Sequence, residues 1–182
     1  DRWMDKTILP GMLTFSKYGY HWRKKSWNPL AVSLAEQTVL VTGATSGLGK
    51  ITALRMAQLG AKTIIVGRNS QKVDSVCREM MNETGNTKIR GEVADLSIKA
   101  DIRALARKLD RSERNIHVLI NNAGALFDHR EETADGIERT FALNLMGPFL
   151  LTSLLIPKLK SSSPSRVINI SSGGMYTQKL VV

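Results

Sequence analysis

The chain has 182 residues, 42% hydrophobic and 23% charged, which is typical of a folded globular domain and excludes a largely disordered chain. Its formal net charge is +10, which could attract nucleic acid, anionic lipid or a phosphorylated ligand. Because no zinc-finger, RNA-recognition or helix-turn-helix pattern accompanies the charge, we expect no nucleic acid partner. Cys77 is the single cysteine, so no disulfide forms within this sequence, which suits a reducing compartment.

Residues 1–37 differ in character from the rest of the sequence. They hold all three tryptophans, two of the three tyrosines and the basic run Arg23-Lys24-Lys25, and no regular period runs through them. We predict an N-terminal extension that lies against the folded domain or a membrane surface, with a loosely ordered arm as the open alternative. Because the sequence begins with Asp1, we expect the natural start of the protein to lie upstream.

From residue 38 onward, short apolar runs alternate with stretches of helical spacing. The predicted strands are 38–42, 63–66, 88–93, 118–121 and 166–171. The predicted helices are 47–59, 70–83, 98–110 and 133–159. Strict alternation favours an α/β fold with a doubly wound parallel sheet, here truncated after its fifth strand, and places ligands at the carboxyl ends of the strands.

The last predicted helix contains a stretch without charge, residues 141–157. It is shorter than the roughly 20 residues of a membrane-spanning helix and contains Asn144, Gly147 and Pro148. We therefore predict a buried helix of the α/β core. A polar amide such as Asn144 in that setting requires hydrogen-bond partners.

Three glycines, Gly43, Gly47 and Gly49, follow the first predicted strand and enter the next helix. Glycine allows a tight turn and a close approach of the backbone to a pyrophosphate, and the helix N-terminus offers free N–H groups. The position between a strand and a helix therefore predicts a dinucleotide site.

The end of the second strand bears on the choice of cofactor. Sites for NAD carry an acidic residue about 20 positions after the glycines, whereas a nearby Arg accepts the 2′-phosphate of NADP. The sequence has Arg68 there and no carboxylate. We predict NADP(H) in preference to NAD(H), with Lys50 as a weaker helper. A merely solvated Arg68 is the alternative.

Three motifs occur in order: Thr42 to Gly49, Asn121-Asn122-Ala123-Gly124 and Ile170-Ser171-Ser172. Over about residues 38–182 the sequence resembles the short-chain dehydrogenase/reductase family. The resemblance implies a Rossmann fold and an NADP(H)-dependent oxidoreductase that transfers a hydride between nicotinamide and a carbonyl or alcohol substrate. An apolar substrate is a family-level expectation.

The resemblance also assigns roles to residues. Ser172 would hold the substrate oxygen, and Asn144 would hold a water of the proton relay. Asn122 would steady the sheet, and Asp95 would border the adenine, although Asp95 could simply cap the following helix. The implied cofactor-binding set is Thr42, Gly43, Thr45, Ser46, Gly47, Leu48, Gly49, Arg68, Asp95, Leu96, Asn122, Ala123 and Gly124. The histidines show no metal spacing, so we predict no metal.

The family mechanism also needs a Tyr and a Lys four residues later, on the helix after the fifth strand. Tyr176 and Lys179 are three apart and close to Ser172, so we predict a loop there. We therefore expect residues 38–182 to be an incomplete NADP(H)-binding domain, inactive alone. The alternative is a non-catalytic truncated dinucleotide-binding or interaction protein. We expect a location in the cytoplasm or on the cytosolic side of a membrane, and homo-oligomerisation of the complete protein stays open.

Overall fold

The computed structural model describes residues 16–27 and 32–172. Two compact units divide the chain between Val32 and Ser33. The first contains helix α1, Lys17–Lys24. This division lies five residues before the sequence-based boundary at 37/38. The reason is hydrogen bonding into the second unit, in which the Leu34 N–H donates to the Leu59 carbonyl at 2.8 Å and the Lys62 N–H donates to the Gln37 carbonyl at 2.9 Å.

The second unit is built on a parallel sheet of five strands in the described part of the chain, in the order β3-β2-β1-β4-β5. Their bounds are Thr38–Thr42 for β1, Lys62–Gly67 for β2, Ile89–Val93 for β3, Val118–Asn121 for β4 and Arg166–Asn169 for β5. Strand β1 pairs with β2 on one side and with β4 on the other, so the strand order reverses there. The predicted doubly wound parallel sheet is confirmed.

Helices cover both faces of the sheet. They are α2 (Gly47–Gln58), α3 (Ser70–Thr84), α4 (Lys99–Ser112) and α5 (Arg139–Ser161). On one face, α4 and α5 pack with Leu40, Ile64 and Leu119, while Val39, Val41 and Ile65 pack with α2 and α3 on the other. This alternation of side chains along each strand is the expected signature of a sheet that is buried on both faces.

Helix α2 meets the sheet mainly through small residues, with the half-buried Leu54 and Met56 packed beside them. Its buried residues are Gly49, Ala53 and Ala57. Leu48 and Ile51 are 72% and 59% exposed. At Gly49 the helix passes too close to the Asn122 side chain and the Gly43 carbonyl for a larger side chain, so the predicted helix is confirmed but Leu48 and Ile51 lie on its exposed side.

Helix α5 begins six residues later than predicted, at Arg139 instead of residue 133. A turn closes between Thr133 and Gly136, whose φ is +69°, and it delays the helix. The Glu138 carboxylate then accepts hydrogen bonds from the N–H groups of Thr140 and Phe141 at 2.7 Å each. These bonds hold the pKa of Glu138 below its ordinary value. Residues Ala142–Met146 form a π-helical turn within α5.

The burial predicted for α5 is wrong for one of its faces. Its buried residues include Leu151, Leu155 and Leu159. The opposite side exposes large apolar side chains, namely Phe141, Leu145, Phe149 and Ile156. Among the described residues, Arg139–Ser161 is also the one helix long and apolar enough to cross a membrane by length and composition.

Candidate functional site

A cavity of about 580 Å³ opens at the carboxyl ends of β1, β2, β3 and β4. This is the position where an open α/β sheet with a reversal of strand order binds its ligands. The predicted cofactor-binding residues in its wall are Gly43, Thr45, Ser46, Leu48, Gly49, Arg68, Asp95, Leu96, Asn122, Ala123 and Gly124. Four predicted site residues are not in the wall: Thr42, Gly47, Asn144 and Ser172.

The glycines bring the turn after β1 against the end of β4. Gly43 has φ +63°, and a Cβ there would lie 2.7 Å from the Ala123 Cα. A Cβ on Gly49 would collide with the Asn122 side-chain amide and the Gly43 carbonyl. Gly47 has φ +53° and nothing near its absent side chain. Two of the three glycines are therefore required by protein contacts within the turn.

Thr42 supports the cavity wall from behind. Its buried Oγ1 accepts hydrogen bonds from the N–H groups of Asn122 and Ala123, both at 3.0 Å. It also donates to the Ile120 carbonyl at 3.3 Å. In return, Asn122 Nδ2 donates to the Thr42 carbonyl at 3.0 Å. The ends of β1 and β4 are thus held together by side chains of the first two sequence motifs.

Two cations stand at the β2 side of the cavity. Arg68 follows β2, and Lys72 lies in the first turn of α3, where its backbone N–H is capped by Asn69 Oδ1 at 2.9 Å. Neither cationic side chain forms an ion pair with a residue that the structure describes. Sequence reasoning missed Lys72, although its place four residues after Arg68, one turn into the next helix, was a usable signal.

Lys50 does not assist the cavity as predicted. Its Nζ lies 2.7 Å from both carboxylate oxygens of Glu79 on α3, and Lys50 is not in the cavity wall. The cause is the orientation of α2, which directs position 50 towards the neighbouring helix.

Asp95 does not cap α4, which corrects the alternative drawn from the sequence. Its Oδ1 accepts hydrogen bonds from the Ser97 N–H at 2.9 Å and the Ser97 hydroxyl at 2.6 Å. The N-cap position belongs to Ile98, three residues further on. The first N–H of α4, that of Lys99, donates instead to Asp135 Oδ2 at 2.9 Å. Asp95 thereby keeps its place in the cavity wall.

Phe127 and Arg139 complete the wall on the side of α5, and sequence reasoning found neither. The Arg139 guanidinium lies 4.2 Å from the centroid of the Phe127 ring and pairs with Glu131. These residues are brought together by the loop before α5, which has no sequence motif.

Asn144 is exposed, contrary to its predicted burial, and its side-chain amide forms two hydrogen bonds with the backbone of Ala125. Its Oδ1 accepts the Ala125 N–H at 3.0 Å, and its Nδ2 donates to the Ala125 carbonyl at 2.9 Å. Because Ala125 lines the cavity, Asn144 fixes a part of the wall that it does not itself form.

The predicted catalytic end of the site lies at the edge of what the structure describes. Ser172 is exposed, two residues after Ile170 extends the pairing of β5 with β4. Tyr176 and Lys179 lie outside the described residues. A pair with the spacing Tyr-x-x-x-Lys does occur at Tyr20 and Lys24, but it lies on α1, before β1 in the chain.

Comparison with known proteins places the sheet and the cavity in context. The family model described as short chain dehydrogenase matches residues 37–180. The chain is 44% identical to human retinol dehydrogenase 11 over 141 residues, which cover 78% of this chain and 44% of that protein. It is 40% identical to human dehydrogenase/reductase SDR family member 12 over 172 residues, which cover 93% of this chain and 54% of that protein. The chain thus spans about half the length of the curated relatives it matches.

Solved structures share the fold. A short-chain dehydrogenase from Sphingobium yanoikuyae in complex with NADPH is 33% identical, with a TM-score of 0.67 over 77% of this chain and 55% of that one. A metagenomic short-chain oxidoreductase in complex with NADP is 30% identical, with a TM-score of 0.67 over 76% of this chain and 62% of that one. Both of these similar proteins were solved with a phosphorylated dinucleotide.

Proposed function

Because the chain belongs to the short-chain dehydrogenase family, we propose that its cavity binds NADP(H) and that the complete protein transfers a hydride between nicotinamide and a carbonyl or alcohol substrate. The observation that carries this proposal is that Arg68 and Lys72 both line the cavity, while no acidic residue stands at the end of β2. Neither cation forms an ion pair with a described residue, so both are available to a 2′-phosphate, and the carboxylate that would bind the diol of NAD is missing from this position.

The start of α2 fits a pyrophosphate. Its N-cap, Ser46, is extended and makes no capping hydrogen bond with its side chain, whereas Asn69 caps α3 through its own. The first N–H groups of α2 therefore remain available to an anion, and the positive end of the helix dipole favours one. Ser46, Leu48 and Gly49 are all in the cavity wall, so this helix end faces the space where the cofactor would lie.

The remaining wall residues would hold the other parts of the cofactor. Asp95 and Leu96 would border the adenine, and Ala123 and Gly124, which carry little or no side chain, would lie under the ribose and nicotinamide. When bound, NADPH would supply the hydride. Ser172 would donate a hydrogen bond to the substrate oxygen, and the proton would come from a Tyr outside the described residues.

An apolar carbonyl or alcohol is the proposed substrate class, because relatives that this chain resembles carry the name retinol dehydrogenase. We propose that this activity takes place in the cytoplasm or on the cytosolic side of a membrane. The sequence has one cysteine, Cys77, and it is a buried free thiol, which suits a reducing compartment.

Titration of the chain with NADPH and NADH, followed by nucleotide fluorescence, tests the cofactor proposal. We expect Arg68→Gln and Lys72→Gln each to weaken NADPH by about tenfold or more and to leave NADH within about twofold, since each removes a charge-assisted hydrogen bond to the 2′-phosphate. Arg78→Gln, an exposed change on the same helix as Lys72, is the matched control. Equal losses for both nucleotides would contradict a phosphate contact.

The oxidoreductase proposal needs a separate measurement on the complete protein. Oxidation of NADPH in the presence of an apolar aldehyde, lost in Ser172→Ala with NADPH affinity retained, is the expected result. Tight NADPH binding without turnover of any carbonyl or alcohol would favour the non-catalytic alternative.

A further inference from the structure

Helix α1 and residues 25–27 carry aromatic and basic side chains, and none of these residues is buried. Tyr18 is 86% exposed and Trp22 is 72% exposed. These two residues are one helical turn apart, so they share a face of α1. Large aromatic side chains that stand in water next to each other are unusual unless something else covers them.

The other aromatic residues of this segment are arranged differently. The Tyr20 ring makes edge contacts with His21 and Trp27, with centroid distances of 5.5 and 5.6 Å. Lys24 Nζ lies 5.8 Å from the Tyr20 ring centroid, on its face. Tyr20 is thus in contact with side chains of its own segment, whereas Tyr18 and Trp22 are the two most exposed aromatic residues of the segment.

The charge of the segment has one sign. Residues 16–27 contain Lys17, Arg23, Lys24 and Lys25 and no acidic residue. None of these four cations forms an ion pair within the described ranges 16–27 and 32–172. By contrast, the buried acids of the second unit are all matched by Lys or Arg, as with Glu113, which pairs with Lys62 and Arg90. Within the part of the chain that the structure describes, no acidic side chain pairs with the cations of residues 16–27.

A shallow cleft beside Trp22 combines both features. It has a volume of about 370 Å³ and is lined by Trp22, Arg23, Lys25 and Ser26. The two cations and the hydroxyl around this cleft suit the anionic headgroup of a phospholipid, and the indole suits the adjoining part of its acyl chains. Indole and phenol rings favour the boundary between headgroups and hydrocarbon, where the apolar body and the polar tip are both satisfied.

We propose that residues 16–27 form a peripheral membrane-binding surface that inserts Tyr18 and Trp22 into the interface and pairs its cations with anionic phospholipid headgroups. The partner we infer is a lipid surface and not single-stranded nucleic acid, because no nucleic-acid-binding pattern accompanies the charge and the indole of Trp22 lines the same cleft as Arg23 and Lys25. The proposal is independent of the cofactor assignment, since it uses only residues of the first unit.

Co-flotation of the whole 182-residue chain with vesicles tests this surface. We expect binding to vesicles of phosphatidylcholine with 30% phosphatidylserine (roughly the anionic content that attracts basic segments), weak binding to pure phosphatidylcholine, and release by salt. Tryptophan emission should shift to shorter wavelength on binding. Arg23→Gln/Lys24→Gln/Lys25→Gln should weaken partitioning by about a hundredfold, since each cation contributes about a fivefold factor.

Two further variants make the test specific. Tyr18→Ser/Trp22→Ser should weaken binding by on the order of tenfold while the salt dependence persists. Arg103→Gln/Arg107→Gln/Arg111→Gln removes the same charge from exposed positions on α4 and should bind like the wild type. An equal loss in that control, or equal binding to neutral vesicles, would overturn the proposal. Binding to a single-stranded oligonucleotide without binding to anionic vesicles would overturn it as well and assign the surface to nucleic acid.

Discussion

The amide of Asn144 brackets the backbone of Ala125, accepting its N–H at 3.0 Å and donating to its carbonyl at 2.9 Å. Asn144 sits in the π-helical turn of α5, and Ala125 follows Gly124 in the cavity wall. The two bonds tie α5 to the segment after β4, so a polar side chain that is itself exposed sets the position of a cavity-forming backbone. π-Helical turns of this kind frequently mark functional sites.

We expect Asn144→Ala to weaken NADPH binding by about tenfold while lowering the free energy of unfolding by only about 1 kcal/mol, because the two lost hydrogen bonds are accessible to water. Asn144→Asp, which keeps the acceptor and loses the donor, should fall in between. Ser153→Ala on the same helix is the control. Nucleotide titration without substrate isolates this positioning role from any part in catalysis, and an Asn144→Ala affinity equal to that of Ser153→Ala would refute it.

Gly47 and Gly49, two of the three glycines in the turn after β1, should respond differently to a methyl group. Gly49→Ala drives the Cβ into the Asn122 amide and the Gly43 carbonyl, so we expect a loss of about 3 kcal/mol in unfolding free energy and no measurable dinucleotide binding. Gly47→Ala meets open space and only strains a φ of +53°, which costs about 1 kcal/mol. Urea unfolding and nucleotide titration compare the two. Similar losses would mean that the turn relaxes around Gly49.

Much of this fold was predictable from sequence because the strands are buried on both faces. Continuous apolar runs placed β1 at 38–42 and β4 at 118–121, as observed. Gly85 ends α3 in the left-handed conformation, with φ +67°, close to the predicted helix end at residue 83. Local rules suffice for such elements, since one residue type satisfies one backbone requirement.

Features that depend on contacts between distant segments were missed. The late start of α5 and the capping of α4 by Asp135 both arise in the loop before α5, whose turn has no strong pattern. Apolar spacing alone does not say which face of a helix packs, and Leu48 and Ile51 lie on the exposed side of α2. Arg139 joins the cavity only through the arrangement of α5 and the loop before it around the sheet, whereas Lys72 follows Arg68 by one helical turn and could have been found from the sequence.

Arg90 on β3 holds two buried carboxylates in place. It pairs with Glu92 and, at 2.8 Å, with Glu113, which are 2% and 3% exposed. Arg90→Met should therefore destabilise the fold by about 3 kcal/mol, because each buried acid would keep one partner, a partly exposed lysine: Lys108 for Glu92 and Lys62 for Glu113. Arg103→Met, on the solvated face of α4, should change the unfolding free energy by less than about 0.5 kcal/mol. A small effect of Arg90→Met would show that Lys62 and Lys108 suffice for neutralisation.

Cys77 should make stability fall at alkaline pH. Burial, with a smaller contribution from the charge of Asp74, raises the pKa of the thiol from 9.0 to about 11. Between these values the unfolded chain releases the thiol proton while the folded chain keeps it. The unfolded state then binds fewer protons, so the free energy of unfolding decreases as pH rises through about 9 to 11.

Urea unfolding at several pH values from 8 to about 11 measures this effect against the background of lysines and tyrosines that also titrate there. Cys77→Ala loses packing at every pH, but its stability should fall less steeply above pH 9, the ordinary pKa of the thiol. Asp74→Asn should also make stability fall less steeply above pH 9, but by less than Cys77→Ala, since it removes the smaller cause of the raised pKa.

At pH 8 the folded thiol should react slowly with iodoacetamide and become reactive on unfolding. Parallel pH profiles for the wild type and Cys77→Ala, or rapid alkylation of the folded chain, would show that the thiol is not held protonated by the fold.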